Sequence, residues 1–332
     1  MSRYGWSKGL SICNMAQSPP ITAHARFQFD RPPRKISGML RVGYVPEHFA
    51  SPLLQYADTD QSKTFVLTPF PGGTGAMITA LQNNEIDVAV ALTDALIAGI
   101  ANGSQAYKLV GSYVSTPLNW AVVTGKDSKY QSINDLRGTK LGISRIVVLR
   151  RWPVAMQNNW VDKDGQVEMP EFQVNNNLQG LNTSINDGTT SAFLWEWFTT
   201  KPHVDSGEVR FIGSVPTPWP SWLIAAHPSP ERAEPTALRS FLGKLTEYVV
   251  KFDSNDQRAQ ADVDFIRERF GYPEADIRAW LNTVRWVENC TAIPGKVIVD
   301  TLNILDKAGV VKRPMDGFKV EGFVNNEVVR LV

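Results

Sequence analysis

Residues 86–92, IDVAVAL, form an almost unbroken apolar run between two segments with helical spacing. A strand that is apolar on both faces must be covered on both sides, which is the pattern of a largely parallel sheet flanked by helices. Strands are expected upstream at 40–45 (LRVGYV) and 64–68 (TFVLT), with a helix over 76–83 between the second of these and the apolar run. Downstream, Thr93 and Asp94 have the chemistry of N-cap residues for a helix over 95–101. Further strands follow at 107–114 and 119–124. This strand–helix alternation predicts a doubly wound α/β lobe.

A second lobe follows. It has a short helix at 132–137 and strands at 140–144 (KLGIS), 171–174, 191–195 (SAFLW) and 210–213. The chain then runs through a segment rich in Pro and Trp, residues 216–222, into a strand at 223–226. Residues 235–307 read as helical, with an apolar stripe at Leu238, Phe241, Leu242, Leu245, Tyr248 and Val249. Such a tail needs a sheet to cover, and the first lobe supplies one. The fold class expected is therefore α/β, two doubly wound lobes joined by a two-strand hinge. Residues 39–120 and 220–332 would form lobe I and residues 121–219 lobe II, with a cleft between them.

At 332 residues the chain has room for two such lobes. Its 34 basic and 33 acidic residues nearly cancel, so no strongly basic face points to nucleic acid. No stretch approaches the roughly 20 apolar residues of a membrane span, and the chain reads as soluble. The two cysteines, Cys13 and Cys290, supply neither a disulfide framework nor a zinc spacing. No cofactor is expected, and the partner implied is a small-molecule ligand; no transporter partner is implied. Residues 1–37 lack the apolar core of a signal peptide, and Pro19, Pro20, Pro32 and Pro33 oppose an amphipathic presequence helix. Residues 1–38 are read as a disordered tail, or as translated sequence ahead of a start at Met39. The compartment expected is the cytoplasm, or the mitochondrion if those residues are a presequence.

The strongest local motif is Pro71-Gly72-Gly73-Thr74-Gly75, between a strand and a helix. Glycines there let backbone N–H groups approach a ligand, and a helix N-terminus favours an anion or polar acceptor. The same residues also make an ordinary strand–helix turn, and they match neither a Walker loop nor a dinucleotide fingerprint. Thr93 and Asp94 repeat the geometry at the next strand's carboxyl end, where an α/β sheet binds ligands. An aromatic cluster follows at Trp195-Glu196-Trp197-Phe198 and at Thr217-Pro218-Trp219-Pro220-Ser221-Trp222. Indoles stack on flat rings, and Glu196 between them suits an amino or amidine-like group. Trp197 and Trp222 serve equally well as core residues. Among His24, His48, His203 and His227 no metal-binding pattern occurs. His48, in Pro46-Glu47-His48-Phe49 after the first strand, is either a ligand contact or a surface-loop histidine.

The stretches GGTGAMITALQNNEIDVAVALTDA, LNWAVVTGKDSKYQSINDLRGTKLGISR, FLWEWFTTKPHVDSGEVRFIG and TPWPSW resemble the type 2 periplasmic-binding-protein superfamily. The branch they are most similar to is an intracellular fungal group related to bacterial binding proteins for sulfonates, nitrate and thiamine pyrimidine precursors. The resemblance covers roughly residues 39–325. It implies a Venus-flytrap fold that grips its ligand between lobes, and kinship suggests a link to thiamine biosynthesis.

Two departures bear on function. The family's fungal pyrimidine synthase carries a CCCFC segment and a sacrificial histidine, whereas this chain has no cysteine cluster, and His48 matches too loosely to take over a catalytic role. The relatives also follow Ser-Arg with a Gly-Ser-Gly-Ser type helix start, where this chain has Val147, Val148, Leu149, Arg150, Arg151, Trp152 and Pro153. A coding run for Ser-Gly-Ser-Gln-Thr-Met-Ala, read one nucleotide late, translates into these residues. Residues 147–153 are accordingly read as a frame-shifted stretch, the alternative being a lineage-specific loop whose Arg150 and Arg151 bind an anion.

The function expected is a binding protein for a small polar, aromatic or anionic metabolite. Gly73, Thr74 and Gly75 would offer N–H and hydroxyl contacts, with Thr93 and Asp94 beside them. Asn119 and Trp120 would lie near the hinge, Ser144 in the second lobe, and His48 in a loop facing the cleft. Glu196 would anchor the ligand and Trp219 stack on it. The alternatives are an enzyme of thiamine pyrimidine precursor synthesis and a protein that has lost ligand binding.

Overall fold

The apolar run becomes the middle strand of a five-stranded sheet in the computed structural model, which describes residues 39–144, 160 and 170–332. The readings made for residues 1–38, including Cys13 and His24, and for residues 147–153 lie outside the described residues. In chain order the first sheet is built from β1 (Leu40–Tyr44), β2 (Phe65–Pro69), β3 (Val88–Leu92) and β4 (Lys108–Val114). Helices α1 (Ser51–Asp60), α2 (Thr74–Gln82) and α3 (Thr93–Ala101) connect them. The second sheet comprises β5 (Asn119–Gly125), β6 (Lys140–Ile143), β7 (Glu171–Val174), β8 (Ala192–Glu196) and β9 (Val209–Pro216). Helix α4 (Leu178–Asn186) precedes β8, and α5 (Trp197–Asp205) follows it. The chain then returns to the first sheet through β10 (Trp222–Ala226).

The strand orders are β2-β1-β3-β10-β4 and β7-β6-β8-β5-β9. The second repeats the first position by position, and in each the fourth strand runs antiparallel to its neighbours. The apolar run has the parallel neighbour expected on one side only. β3 pairs β1 in parallel but β10 antiparallel, because β10 comes back from the second lobe. Val88, Ala89, Val90 and Ala91 are all buried, as two covered faces require.

Helix α3 corrects the capping expectation. It begins at Thr93 itself, with Leu92 at the cap position and no side-chain cap. The Thr93 N–H instead donates to the Ser221 carbonyl at 3.0 Å, so the returning chain does the work of a cap.

The long C-terminal helical reading is also corrected. Four α-helices occupy it, α6 (Pro235–Phe252), α7 (Asp262–Phe270), α8 (Glu274–Thr283) and α9 (Gly295–Lys307). Extended chain separates the last two and includes β11 (Ala292–Ile293), which pairs with β12 (Arg330–Leu331). Tertiary bonds draw this segment out of helix. Trp286 bridges to Val114 of β4, and the Cys290 carbonyl accepts the Ser112 N–H at 3.2 Å. Gly111 permits that approach, since a Cβ there would come within 2.4 Å of the Cys290 carbonyl oxygen. The C-terminal helices thus pack on the first sheet's side: α6 lies against α1, and α9 against α3. No helix among the described residues is long and apolar enough to cross a membrane.

Between α1 and α7, the fully buried Asp262 meets Gln55, Nε2 to Oδ1 at 3.4 Å, and burial pushes its carboxyl up to about 7. The folded protein then holds this proton more tightly than the unfolded chain does. Its stabilising effect is complete below the ordinary value of 3.8 and is lost as pH rises towards 7. Asp262→Asn is expected to raise the urea midpoint at about pH 8, with the difference shrinking towards about pH 5. Superimposable pH profiles for parent and variant would show that the group does not titrate this way.

The two crossings between sheets, residues 115–118 and 217–221, lie side by side. Thr217 N donates to the Leu118 carbonyl (2.9 Å), and Leu118 N donates to Thr217 Oγ1 (3.0 Å). Ser221 donates to the Thr116 carbonyl from both N (3.0 Å) and Oγ (2.9 Å). The TPWPSW motif is thus the second strand of a hydrogen-bonded hinge. Its prolines, which cannot donate, occur where the crossing leaves the sheet ladders.

Candidate functional site

The carboxyl ends of β1, β3 and β8 converge where the lobes meet, and they enclose a cavity of about 30 Å³. From the first lobe its wall includes Glu47, Gly73, Thr74 and Trp222; from the second, Trp120, Trp195 and Glu196. Leu118 of the first crossing closes one side. Such a volume holds one or two water molecules, against roughly 300–1,000 Å³ for a metabolite pocket.

Each lining residue is placed by its element. Gly73 has φ of 72° and ψ of −162°, a conformation that side chains oppose, and a Cβ there would meet nothing within 4 Å. Glycine is needed for backbone shape, so that the turn delivers the start of α2 to the cavity. Thr74 is buried, and its Oγ1 accepts the Leu92 N–H at 3.0 Å, tying the helix start to the end of β3. Trp120 and Glu196 are direct cross-strand partners on β5 and β8, which brings indole and carboxylate to one rim. The Trp222 indole N–H, buried in the wall, has no hydrogen-bond partner among the described residues.

Glu196 is only 3% exposed. Its Oε2 accepts the Thr199 N–H at 2.7 Å and so caps α5, and the same oxygen lies 3.6 Å from His48 Nε2. One carboxylate oxygen is thereby committed to structure, while Oε1 takes no hydrogen bond from the described residues. Among the described lining residues the ionisable side chains are Glu47 and Glu196, both acidic.

Of the residues singled out in the sequence, Gly73, Thr74, Trp120 and Glu196 come together here. The others do not. Gly75 lies one residue into α2, and its carbonyl accepts the Thr79 hydroxyl. Thr93 is fully buried, its hydroxyl without a hydrogen-bond partner among the described residues, and Asp94 is in the first turn of α3. Asn119 is exposed at the start of β5, opposite Pro216. Ser144 is buried just beyond β6. Trp219 is buried in the second crossing, where its carbonyl accepts the Thr217 hydroxyl (2.9 Å). His48 is corrected from an open loop to a buried position behind Glu196, because Phe49, Tyr272 and Trp280 enclose its ring. Trp197 packs against Phe211, centroids 4.0 Å apart, outside the cavity wall. Glu47 was not singled out as a site residue, although it adjoins His48, and Trp195 was named only as part of the aromatic cluster around Glu196.

Residues 120–215 match the family model described as Ca3427-like PBP. Among solved structures the chain is similar to the Candida albicans CA3427 gene product, described as having the generic periplasmic binding protein fold. The identity is 28%, with 89% of this chain and 97% of that one covered and a TM-score of 0.77. It is also similar to the alkanesulfonate-binding protein SsuA from Xanthomonas axonopodis pv. citri (14% identity, 87% and 99% covered, TM-score 0.66). A third is the periplasmic nitrate-binding protein NrtA from Synechocystis PCC 6803 (13%, 88% and 86%, 0.63). No curated protein matches the sequence significantly. With two five-stranded sheets of like strand order, a paired hinge crossing and these matches, the chain has the type 2 periplasmic-binding-protein-like fold, related to that of the sulfonate and nitrate binders.

Proposed function

We propose that this protein binds a small flat metabolite bearing an amino or amidinium group, gripped between the lobe built on the first sheet and the lobe built on the second. The observation that carries the reading is Glu196, buried beside the indoles of Trp120, Trp195 and Trp222, with Oε1 taking no hydrogen bond from the described residues. A buried carboxylate needs a cationic or hydrogen-bonding partner, and indole faces favour a planar one. The start of α2 and the Trp222 N–H favour an acceptor at the ligand's other end. An aminopyrimidine, the class suggested by the resemblance to thiamine-precursor binders, has both features. A simple anion such as a sulfonate would meet two carboxylates. To admit any such ligand, the lobes open about residues 115–118 and 217–221.

Native mass spectrometry of protein purified from its own cells would weigh a retained ligand directly. Titration calorimetry should show an aminopyrimidine binding more tightly than an alkanesulfonate. Glu196→Gln is expected to weaken the aminopyrimidine by about 1–3 kcal/mol, the usual worth of a hydrogen bond to a charged group. Alkanesulfonate binding that survives Glu196→Gln unchanged, with no aminopyrimidine binding in the parent, would overturn the assignment.

A further inference from the structure

A second cavity, of about 390 Å³, opens at the far end of the second sheet, between residues 125–130 after β5 and residues 185–191 ahead of β8. Glu196 stands at the other end of β8, so this cavity is separate from the one between the lobes. Its volume falls within the roughly 300–1,000 Å³ of a small-molecule pocket. Both walls are braced. Arg210 of β9 donates to carbonyls of the first wall, from Nε to Lys126 (3.2 Å) and from Nη2 to Ser128 (2.5 Å) and Tyr130 (2.8 Å). Asn186 ties the walls together, since its Oδ1 accepts the Lys126 N–H (3.3 Å) while its Nδ2 donates to the Glu208 carbonyl (3.1 Å). Ser191 Oγ donates to the Tyr130 hydroxyl at 3.0 Å. A Cβ on Gly125 would come within 2.5 Å of the Ile185 carbonyl oxygen, so only glycine lets the walls meet this closely at their base.

Lys126, Asp127 and Lys129 line the first wall and Asp187 the second, and none of them is ion-paired with a described residue. Asp187 Oδ1 accepts from Thr189 Oγ1 (2.5 Å) and N (2.9 Å), while Oδ2 takes no hydrogen bond from the described residues. The Thr189 bonds hold this carboxyl below its ordinary range, so it is ionised at neutral pH. Lys129 Nζ lies 5.4 Å from the centroid of the Tyr130 ring. We infer that this cavity is a second binding site, for an α-amino acid with an apolar side chain. Its carboxylate meets Lys126 and Lys129, its ammonium meets Asp187 Oδ2, and its side chain lies along Tyr130 and Ile185. The lining charges cancel, two of each sign. A lone anion would gain from the lysines and lose to Asp127 and Asp187, and a lone cation the reverse, whereas a zwitterion is complementary to both walls. The site lies within one lobe and rests neither on lobe opening nor on the ligand proposed for the cleft.

Amide NMR spectra of the full chain titrated with L-leucine test the assignment. Saturable shifts are expected at Gly125, Tyr130, Gly188 and Ser191, with Gly73 and Glu196 unmoved. N-acetyl-L-leucine, which lacks the ammonium, and L-leucinamide, which lacks the carboxylate, should each bind about fivefold more weakly, the worth of one partly exposed charge pair. Lys126→Gln combined with Lys129→Gln should weaken L-leucine by about tenfold. Both side chains are exposed, so the double variant keeps the fold. Asp187→Asn retains an acceptor for Thr189 and should reduce L-leucine to the affinity of N-acetyl-L-leucine, a loss of preference that a merely structural role for Asp187 would not produce. The absence of saturable shifts up to the solubility of L-leucine, or equal shifts with sodium chloride, would overturn the site. So would shifts at Gly73 and Glu196 that Glu196→Gln abolishes and the lysine variant keeps, because the amino acid would then be bound between the lobes.

Discussion

Replacing Asp87 by alanine should lower stability by about 3–5 kcal/mol, the cost of breaking a buried ion pair from one side. Asp87 is fully buried between β1 and β3 and neutralises two guanidinium groups. Arg41 donates to it from its backbone N (3.1 Å), from Nε (3.0 Å) and from Nη2 (2.7 Å), and Arg232 donates from Nε at 3.1 Å. Arg232 also donates to the Asn84 side chain and to the Ile86 carbonyl. The cluster therefore pins the segment after β10 to the edge of β3. Burial opposes ionisation of Asp87, but the hydrogen bonds and charges of Arg41 and Arg232 outweigh it and hold the carboxyl below its ordinary value. Its contribution is present above the unfolded value of 3.8 and is lost as pH falls through the lower folded value. Alanine leaves two half-buried cations without their shared anion. Urea unfolding measures the loss, with Lys296→Ala, which removes an exposed i,i+4 pair to Asp300, as a control expected to change stability by less than about 1 kcal/mol. A loss for Asp87→Ala no larger than the control's would show that the network contributes only local order.

Trp286→Ala is expected to cost a similar 3–5 kcal/mol, the range for deleting a buried aromatic side chain. Trp286 is 3% exposed and sits where the C-terminal segment meets the first sheet. Its ring packs edge-on to Phe252 (4.9 Å) and Trp280 (5.7 Å), with the Arg258 guanidinium 5.7 Å from its centroid. Its backbone N–H donates to Asp253 Oδ2 at 3.1 Å, and the residue bridges to Val114 of β4. The variant should therefore loosen α7 and α8 from the first sheet. Amide hydrogen exchange would show this as faster exchange in those helices and in β4, with β6 and β8 of the second sheet unchanged. Uniform acceleration across both sheets would mean that the two lobes unfold as a single unit.

Both predictions rest on residues that are visible in the sequence but whose partners are not. Asp87 interrupts the apolar run at 86–92, and nothing local says that Arg41 and Arg232, 46 and 145 residues away, converge on it. The same holds at the cavity. The Gly73-Thr74 turn and the Trp195-Glu196 pair could be singled out because each stands at a strand end with suitable chemistry. Trp219 resembles them in type, and the bonds that place its backbone, between Thr217 and Leu118 and from Thr217 to its own carbonyl, are not legible in the local sequence. His48 was legible as a residue after the first strand. Its enclosure by Tyr272 and Trp280 depends on contacts more than 200 residues apart in the chain.

What the sequence determined by itself is the set of elements and their kind. Apolar period, cap chemistry and turn residues act over a few positions, so strand and helix identities and the alternating α/β class can be read from the residues in order. The tertiary structure decided how those elements close on one another. The antiparallel return of β10, the extended break around Trp286, the start of α3 against Ser221 and the meeting of His48 with Glu196 are all long-range choices. Each satisfies a buried polar group or fills a buried face using residues distant in the chain. Such partnerships leave no local pattern, because they exist only once both lobes have folded against the hinge.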